Sequence, residues 1–365
     1  MILENLYTAD KNTPGTVAVA ATGYADNLII DCSNAIAFPG LINSHDHLEL
    51  NLFPQLKNNN YSNYIQWGAD IHVAHKTIIQ SVLKIPQSLH IQWGAYKNLL
   101  NGITTVVNHG KKITADLPVT VFQNCTNLHS VQLEKNWKRQ LNFKPFQKTP
   151  FVVHIGEGTD EAAAAEIDTY IKNNYFGKKT VGIHGVAMNA KQAKNFAALV
   201  WCPVSNFFLL NKTADIDLLK KETIILFGTD STLSGNWSIW EHLRLARSLN
   251  MLSDSELFSA VTATAAKTWN IINNDIVVAK KKRANYFDSF FSLTPDDILL
   301  IIKDGRVVLY DESLQQQLHN KTSGDNFDTI GINQNKKLVQ GNLAALVQQI
   351  QLINPAIKFP FDVHR

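Results

Sequence analysis

Short apolar runs alternate with helix-like segments through the middle of this chain, and several of the runs end in a histidine or an aspartate. Residues 40–43, 103–107, 119–123, 151–155, 181–183, 199–202 and 224–227 have the length and composition of buried strands. Helical periodicity covers residues 160–171, 190–198, 239–249 and 255–269, and Ser253 with Glu256 forms an S-x-x-E capping box before the last of these. Repeated βα units imply a parallel sheet with helices outside it, either a barrel or a doubly wound sheet. Seven strands are clear. Residues 128–133 are the candidate for an eighth, although 124–150 contain no good crossover helix.

Both ends of the chain have a different texture. Residues 1–39 carry short apolar runs punctuated by Gly and Pro, and 298–302 and 306–310 flank Asp304-Gly305, a tight hairpin turn. The expected organisation is a small β domain from residues 1–38 and 276–312 around a central α/β unit at 39–275, followed by 313–365 as a polar linker and a docking helix. That helix is amphipathic over 343–353 and stops at Pro355.

The bulk composition excludes several classes. The net charge is only +3, and the one basic run, Lys280 to Arg283, reads as a solvated turn, so no nucleic-acid partner is expected. Three scattered cysteines without a CxxC pair do not form a disulfide framework. No secretory leader is evident, and no apolar run approaches the length of a membrane span. A cytoplasmic protein is the expectation.

The strongest local signal is Pro39-Gly-Leu-Ile-Asn-Ser-His45-Asp-His47. Side chains two apart on a strand point the same way, and neutral imidazole is a preferred ligand of zinc and similar ions. The bare pair is equally well explained as two polar residues closing a strand. Three further runs change the balance: Phe151-Val-Val-His154-Ile-Gly-Glu157, Val181-Gly-Ile-His184 and Ile224-Ile-Leu-Phe-Gly-Thr-Asp230. In a parallel α/β barrel the C-terminal strand ends converge on one face. Four strands each delivering a ligand-type residue there are hard to explain by packing.

This order, HxH, His-x-x-Glu, His, Asp, resembles the amidohydrolase superfamily, most closely the branch of cytosine deaminase, guanine and adenosyl-type deaminases and chlorohydrolases. Gly102-Ile-Thr-Thr, Cys202-Pro-Val-Ser-Asn206 and Gly228-Thr-Asp230 support it, in family order from about residue 36 to 235. The resemblance implies a (β/α)8 TIM-type barrel with a small β-sandwich domain assembled from both termini. It implies that His45, His47, His154 and Asp230 bind one divalent metal, zinc or else iron. Asp230 would take a proton from the attacking water, His184 would orient that water, and Glu157 would protonate a ring nitrogen or leaving amine. The implied activity is hydrolysis or deamination at a C–N bond of a small cyclic compound. Ring opening, dehalogenation and a non-catalytic scaffold are the alternatives. No lysine clearly ends a fourth strand, as two-metal members require; Lys135 is the nearest, so a single metal is expected. Against the branch it resembles, the chain is short, with the loss falling between residues 110 and 150. A homodimer would fit the family.

Substrate contacts are expected from His109 and Trp67, and from Asn206, which could instead support the metal site. His72, His75, Tyr61 and Tyr64 lie on the same loop region as Trp67, where surface or packing roles explain them as well. Ser231 and Ser234 either line the pocket or cap the following helix, and Cys202 reads as a buried thiol.

Overall fold

The computed structural model describes residues 1–143, 149–318 and 326–364. The chain starts with β1 (Ile2–Thr8), β2 (Lys11–Ala18) and β3 (Ile29–Pro39). Eight segments follow: β4 (Leu41–Asp46), β5 (Ile103–Asn108), β6 (Thr120–Phe122), β7 (Thr126–Ser130), β8 (Phe151–Ile155), β9 (Thr180–His184), β10 (Ala198–Trp201) and β11 (Ile224–Phe227). The last six are β12 (Ile276–Lys280), β13 (Ile298–Lys303), β14 (Arg306–Asp311), β15 (Phe327–Ile332), β16 (Asn335–Gln340) and β17 (Asp362–His364).

The middle segments are parallel and form two sheets, β4-β5-β6 and β11-β10-β9-β8-β7. Every position of β4, β5, β8, β9 and β10 is buried, as expected for strands covered on both faces. The first and last of these strands meet: the amides of Thr229 and Asp230 donate to the His45 carbonyl at 3.2 and 3.1 Å. The seven clear strands are all present. The eighth segment lies at Thr126–Ser130 rather than 128–133.

Only residues 123–125 join β6 to β7. Parallel neighbours need a crossover of about a dozen residues or more, so these two segments cannot lie side by side. The Asn127 amide donates to the carbonyls of Asn108, the last residue of β5, and Gly110 just beyond it, so 120–130 runs on along β5. The two segments therefore lie end to end, the first paired with β5 and the second with β8.

Strands from both ends of the chain share one nine-stranded sheet, ordered β17-β15-β16-β14-β13-β12-β3-β1-β2. Its seam is the antiparallel pair β3 and β12, with Val277 opposite Phe38. Asp304 and Gly305 turn β13 into β14 with φ of 48° and 70°, the geometry of a two-residue hairpin loop. The polar stretch expected as a linker departs from that reading, because it supplies β15 and β16. Polar composition misleads here: Ile330, Ile332 and Val339 are buried, and so is the Lys337 side chain. The Lys337 ammonium donates to Asp311 Oδ2 at 2.6 Å and to the carbonyls of Asp296 and Ile298 at 2.7 Å, so an apparently solvated residue is satisfied inside. The helix Leu343–Ile353 does dock, through Leu343, Leu346, Val347 and Ile350.

Among the other helices, Glu161–Asn173 is capped by Asp160, whose side chain accepts from Ala163 N. The single helix expected over 255–269 is two, Asp254–Ala260 and Ala263–Trp269, and the Ser253–Glu256 capping box is formed. Among the described residues no helix is long and apolar enough to cross a membrane.

Candidate metal centre

The strand ends carry the candidate ligands to one place. His45 is in β4 and His47 just past it; His154 is the penultimate residue of β8; Asp230 follows β11 by three residues. His154 Nε2 is 3.2 Å from His45 Nε2 and 3.4 Å from His47 Nε2. Asp230 Oδ1 is 3.8 Å from the Nε2 atoms of both His45 and His47. An ion held at the usual 2.0–2.2 Å by four tetrahedral ligands separates them by roughly 3.3–3.6 Å. The four side chains therefore fit a divalent metal. All four are buried.

Local backbone makes this convergence possible. Gly228 has no side chain because a Cβ there would lie 2.8 Å from His45 Cβ and 2.9 Å from a Val200 methyl. His184 and Asp230 adopt left-handed φ of 72° and 56°. Non-glycine residues hold such conformations at a cost of about 1–3 kcal/mol, and they concentrate at functional sites.

Hydrogen bonds assign the protons. His154 Nδ1 lies 2.7 Å from the His129 carbonyl, which only accepts, so Nδ1 carries the proton and Nε2 presents a lone pair to His45 and His47. His184 is the reverse. Trp201 Nε1 donates to Thr213 Oγ1 at 2.7 Å, Thr213 donates to Asn206 Oδ1 at 3.2 Å, and Asn206 Nδ2 donates to His184 Nδ1 at 2.8 Å. His184 Nε2 thus keeps its proton and faces Glu157 Oε1 at 3.6 Å. Ligand atoms of His45, His154 and His184 also lie within 4.8 Å of one another, but a protonated Nε2 argues against His184 as a ligand. A third group, His109, His129 and His154, competes for the lone pair that His154 already directs at His45 and His47.

Burial, reinforced by neighbouring imidazoles, pushes His45 and His154 well below the ordinary histidine range, so both are neutral and able to ligate. Burial also lowers His184, to about 4. Burial pushes the Asp230 carboxyl up, but His47, His184 and hydrogen bonds from Ser205 at 2.7 Å and Ser234 at 2.8 Å outweigh it, so Asp230 stays anionic. Glu157 is the opposite case. Burial, then the charges of Asp230 and Glu166, push its carboxyl well above the usual range, leaving a protonated acid beside the cluster.

His47, His154, Glu157, His184 and Asp230 line a cavity of about 780 Å³ whose walls include Leu50, Phe53, Trp67, Ile71, Leu209 and Leu233. Trp67 and His109 line it. Both His109 ring nitrogens are buried without a partner. Tyr64, His72, Ser231 and Ser234 also line it; Tyr61 instead donates to Asp70 at 2.5 Å. Asn206 does not fit its expected substrate role: it is fully buried and both amide atoms are taken by Thr213 and His184. Cys202 is buried. Sequence reasoning missed His129, which lines the cavity from β7; the weak eighth-strand signal was its only pointer. It also missed Ser205, two residues along the Cys-Pro-Val-Ser run from Pro203.

No family model matches the chain. Over 107 residues, 26% of this chain and 24% of that protein, it is 32% identical to a guanine deaminase of Pongo abelii, so the match spans about a quarter of the relative's length. Among solved structures it is similar to a zinc-bound adenosine deaminase from Xanthomonas campestris, with a TM-score of 0.65, 14% identity, and coverage of 90% of this chain and 87% of that one. A zinc complex of atrazine chlorohydrolase from Arthrobacter aurescens TC1 gives 0.64 at 15% identity, covering 88% and 99%. Guanine deaminase from C. acetobutylicum with bound guanine gives 0.61 at 15%, covering 84% and 99%. The chain thus shares its fold with these two deaminases and the chlorohydrolase. Identities this low establish architecture and leave the reaction to be argued from the site.

Proposed function

We propose that this chain is a metal-dependent hydrolase acting, as a deaminase does, at a C–N bond of a small cyclic compound. We read its parallel strands as a closed barrel, its nine-stranded sheet as the companion β domain, and one zinc ion per chain as the cofactor. The observation that carries the proposal is the meeting of three imidazoles and one carboxylate, with His154 3.2 and 3.4 Å from His45 and His47 and Asp230 3.8 Å from both, beside a Glu157 carboxyl that burial pushes well above its usual range.

His45, His47, His154 and Asp230 would hold the ion. When bound there, a divalent metal lowers the pKa of a coordinated water to about 7. Asp230 is held rigid by the Ser231 amide on Oδ1 and by two hydroxyls on Oδ2, and it accepts the proton that the attacking water gives up. Glu157 delivers its proton to the ring nitrogen or departing amine. His184, its Nε2–H fixed by Asn206, polarises the attacked carbon's substituent. The apolar walls, with Trp67 and His109, hold the ring and exclude water.

Metal analysis of protein purified without chelator should find about one equivalent of zinc or iron, and His45→Ala and Asp230→Ala should lose it together with turnover. Glu157→Gln should keep the metal and slow ammonia release from aminated rings by roughly 10²–10⁴-fold. A metal-free wild type would overturn the proposal. Ring-opened or dehalogenated products without ammonia would move the same site to a different bond.

A further inference from the structure

Directly behind the paired histidines lies a buried ion pair that the proposed chemistry does not use. Asp46 separates His45 from His47, so strand alternation sends its side chain away from theirs. Asp46 and Lys97 are both fully buried, and Lys97 Nζ is 3.1 Å from Asp46 Oδ2 and 2.9 Å from Asn51 Oδ1. Asn98 donates to Asp46 Oδ2 at 2.7 Å and Asn51 to Oδ1 at 2.9 Å, so both carboxylate oxygens are held.

The network also reaches the other half of the proposed shell. Asn43 donates to Asn98 Oδ1 at 3.0 Å and to Thr229 Oγ1 at 2.7 Å, and it accepts from Thr229 N at 3.1 Å. Thr232 N donates to Asn51 Oδ1 at 3.1 Å. Thr229 and Thr232 bracket Asp230. One set of buried polar groups therefore grips the strand that carries His45 and His47 and the loop that carries Asp230.

A buried ion pair adds little net stability, because desolvation offsets its attraction, and apolar replacements are often neutral or stabilising. Cohesion alone is thus a poor reason for placing one here. We infer that Asp46 and Lys97 are positioning residues: they set the distance between the His45/His47 strand end and the Asp230 loop, and with it the geometry of the metal shell. This rests on the metal-centre reading above.

The test compares full-length wild type with Asp46→Asn, Lys97→Met and the double variant, which removes both charges together. The probes are Zn²⁺ affinity by chelator competition, the visible spectrum of bound Co²⁺, and the urea midpoint of the metal-free protein. Each folded variant should bind Zn²⁺ roughly 10–100-fold more weakly and show shifted Co²⁺ bands. The double variant should do so with a urea midpoint near that of wild type, a split that a merely structural role would not produce. A double variant with wild-type Co²⁺ bands and affinity overturns the inference, as does one that cannot fold, which would assign the pair to stability. Wild type that binds no Co²⁺ overturns the metal-centre reading as well. Wild type that binds normally beside an unaffected double variant overturns this inference alone.

Discussion

At the scale of single residues, burial decides which groups in this protein carry protons. His242 shows the effect away from the proposed ligands: its imidazole is fully buried, with Nε2 2.9 Å from the Asn236 carbonyl, and burial lowers it to about 4. The unfolded chain takes up a proton at His242 near pH 6.5 and the folded chain does not until about 4. Stability from this residue is therefore complete above pH 6.5 and falls as pH drops through that window, at about 1.4 kcal/mol per pH unit. Urea titrations between pH 6.5 and 4 should give His242→Gln a shallower slope than wild type by about one proton. Equal slopes would mean that His242 titrates normally. The same physics separates His154 from His184. Both were legible as strand-end histidines, but their opposite proton placements come from a carbonyl and an amide that only the folded chain brings to them.

At the scale of elements, helix Gln87–Leu99 illustrates what a pattern leaves out. It packs on the short turn Leu48–Leu50 so closely that a Cβ on Gly94 would lie 2.3 Å from the Leu48 carbonyl oxygen. That approach lets Lys97 and Asn98 reach Asp46. Gly94→Ala should destabilise the protein by about 1–3 kcal/mol, as overpacking does, and chemical denaturation would measure it; an unchanged midpoint would mean that the turn yields freely. Nothing in the sequence around Gly94 marks the helix, since its apolar and polar residues are mixed and nine of its thirteen are buried. The capping box at Ser253 was legible because it is local: each partner lies three residues from the other. The break of residues 120–130 into β6 and β7 was not, because it depends on which neighbour each half pairs with.

At the scale of the whole molecule, the far end of the chain supports the site from a distance. Trp93 packs edge-on against Phe359 at 4.8 Å, and its indole N–H donates at 2.7 Å to the carbonyl of Asn51, a member of the network behind His47. Tyr96 donates to the Gln340 carbonyl at 3.2 Å. Deleting residues 326–365 would uncover β14 and remove the burial of Ile330, Ile332, Val339, Leu343, Leu346 and Ile350. At about 1.5–3 kcal/mol per side chain, that loss is on the order of 10 kcal/mol, comparable with the whole stability of an ordinary domain. The truncated chain should lose cooperative unfolding in urea; retention of the wild-type midpoint would contradict this. The sequence by itself determined the alternation of strands and helices, the hairpin at Asp304-Gly305 and the ligand-type residues at the strand ends, because these follow from periodicity and turn chemistry within a few residues. Only the tertiary structure decided that residues 327–340 complete the terminal sheet, that Asn206 holds His184 rather than substrate, and that Lys97 lies behind the histidines. Each of those depends on a partner more than twenty residues away, and burial, not composition, sets its energy.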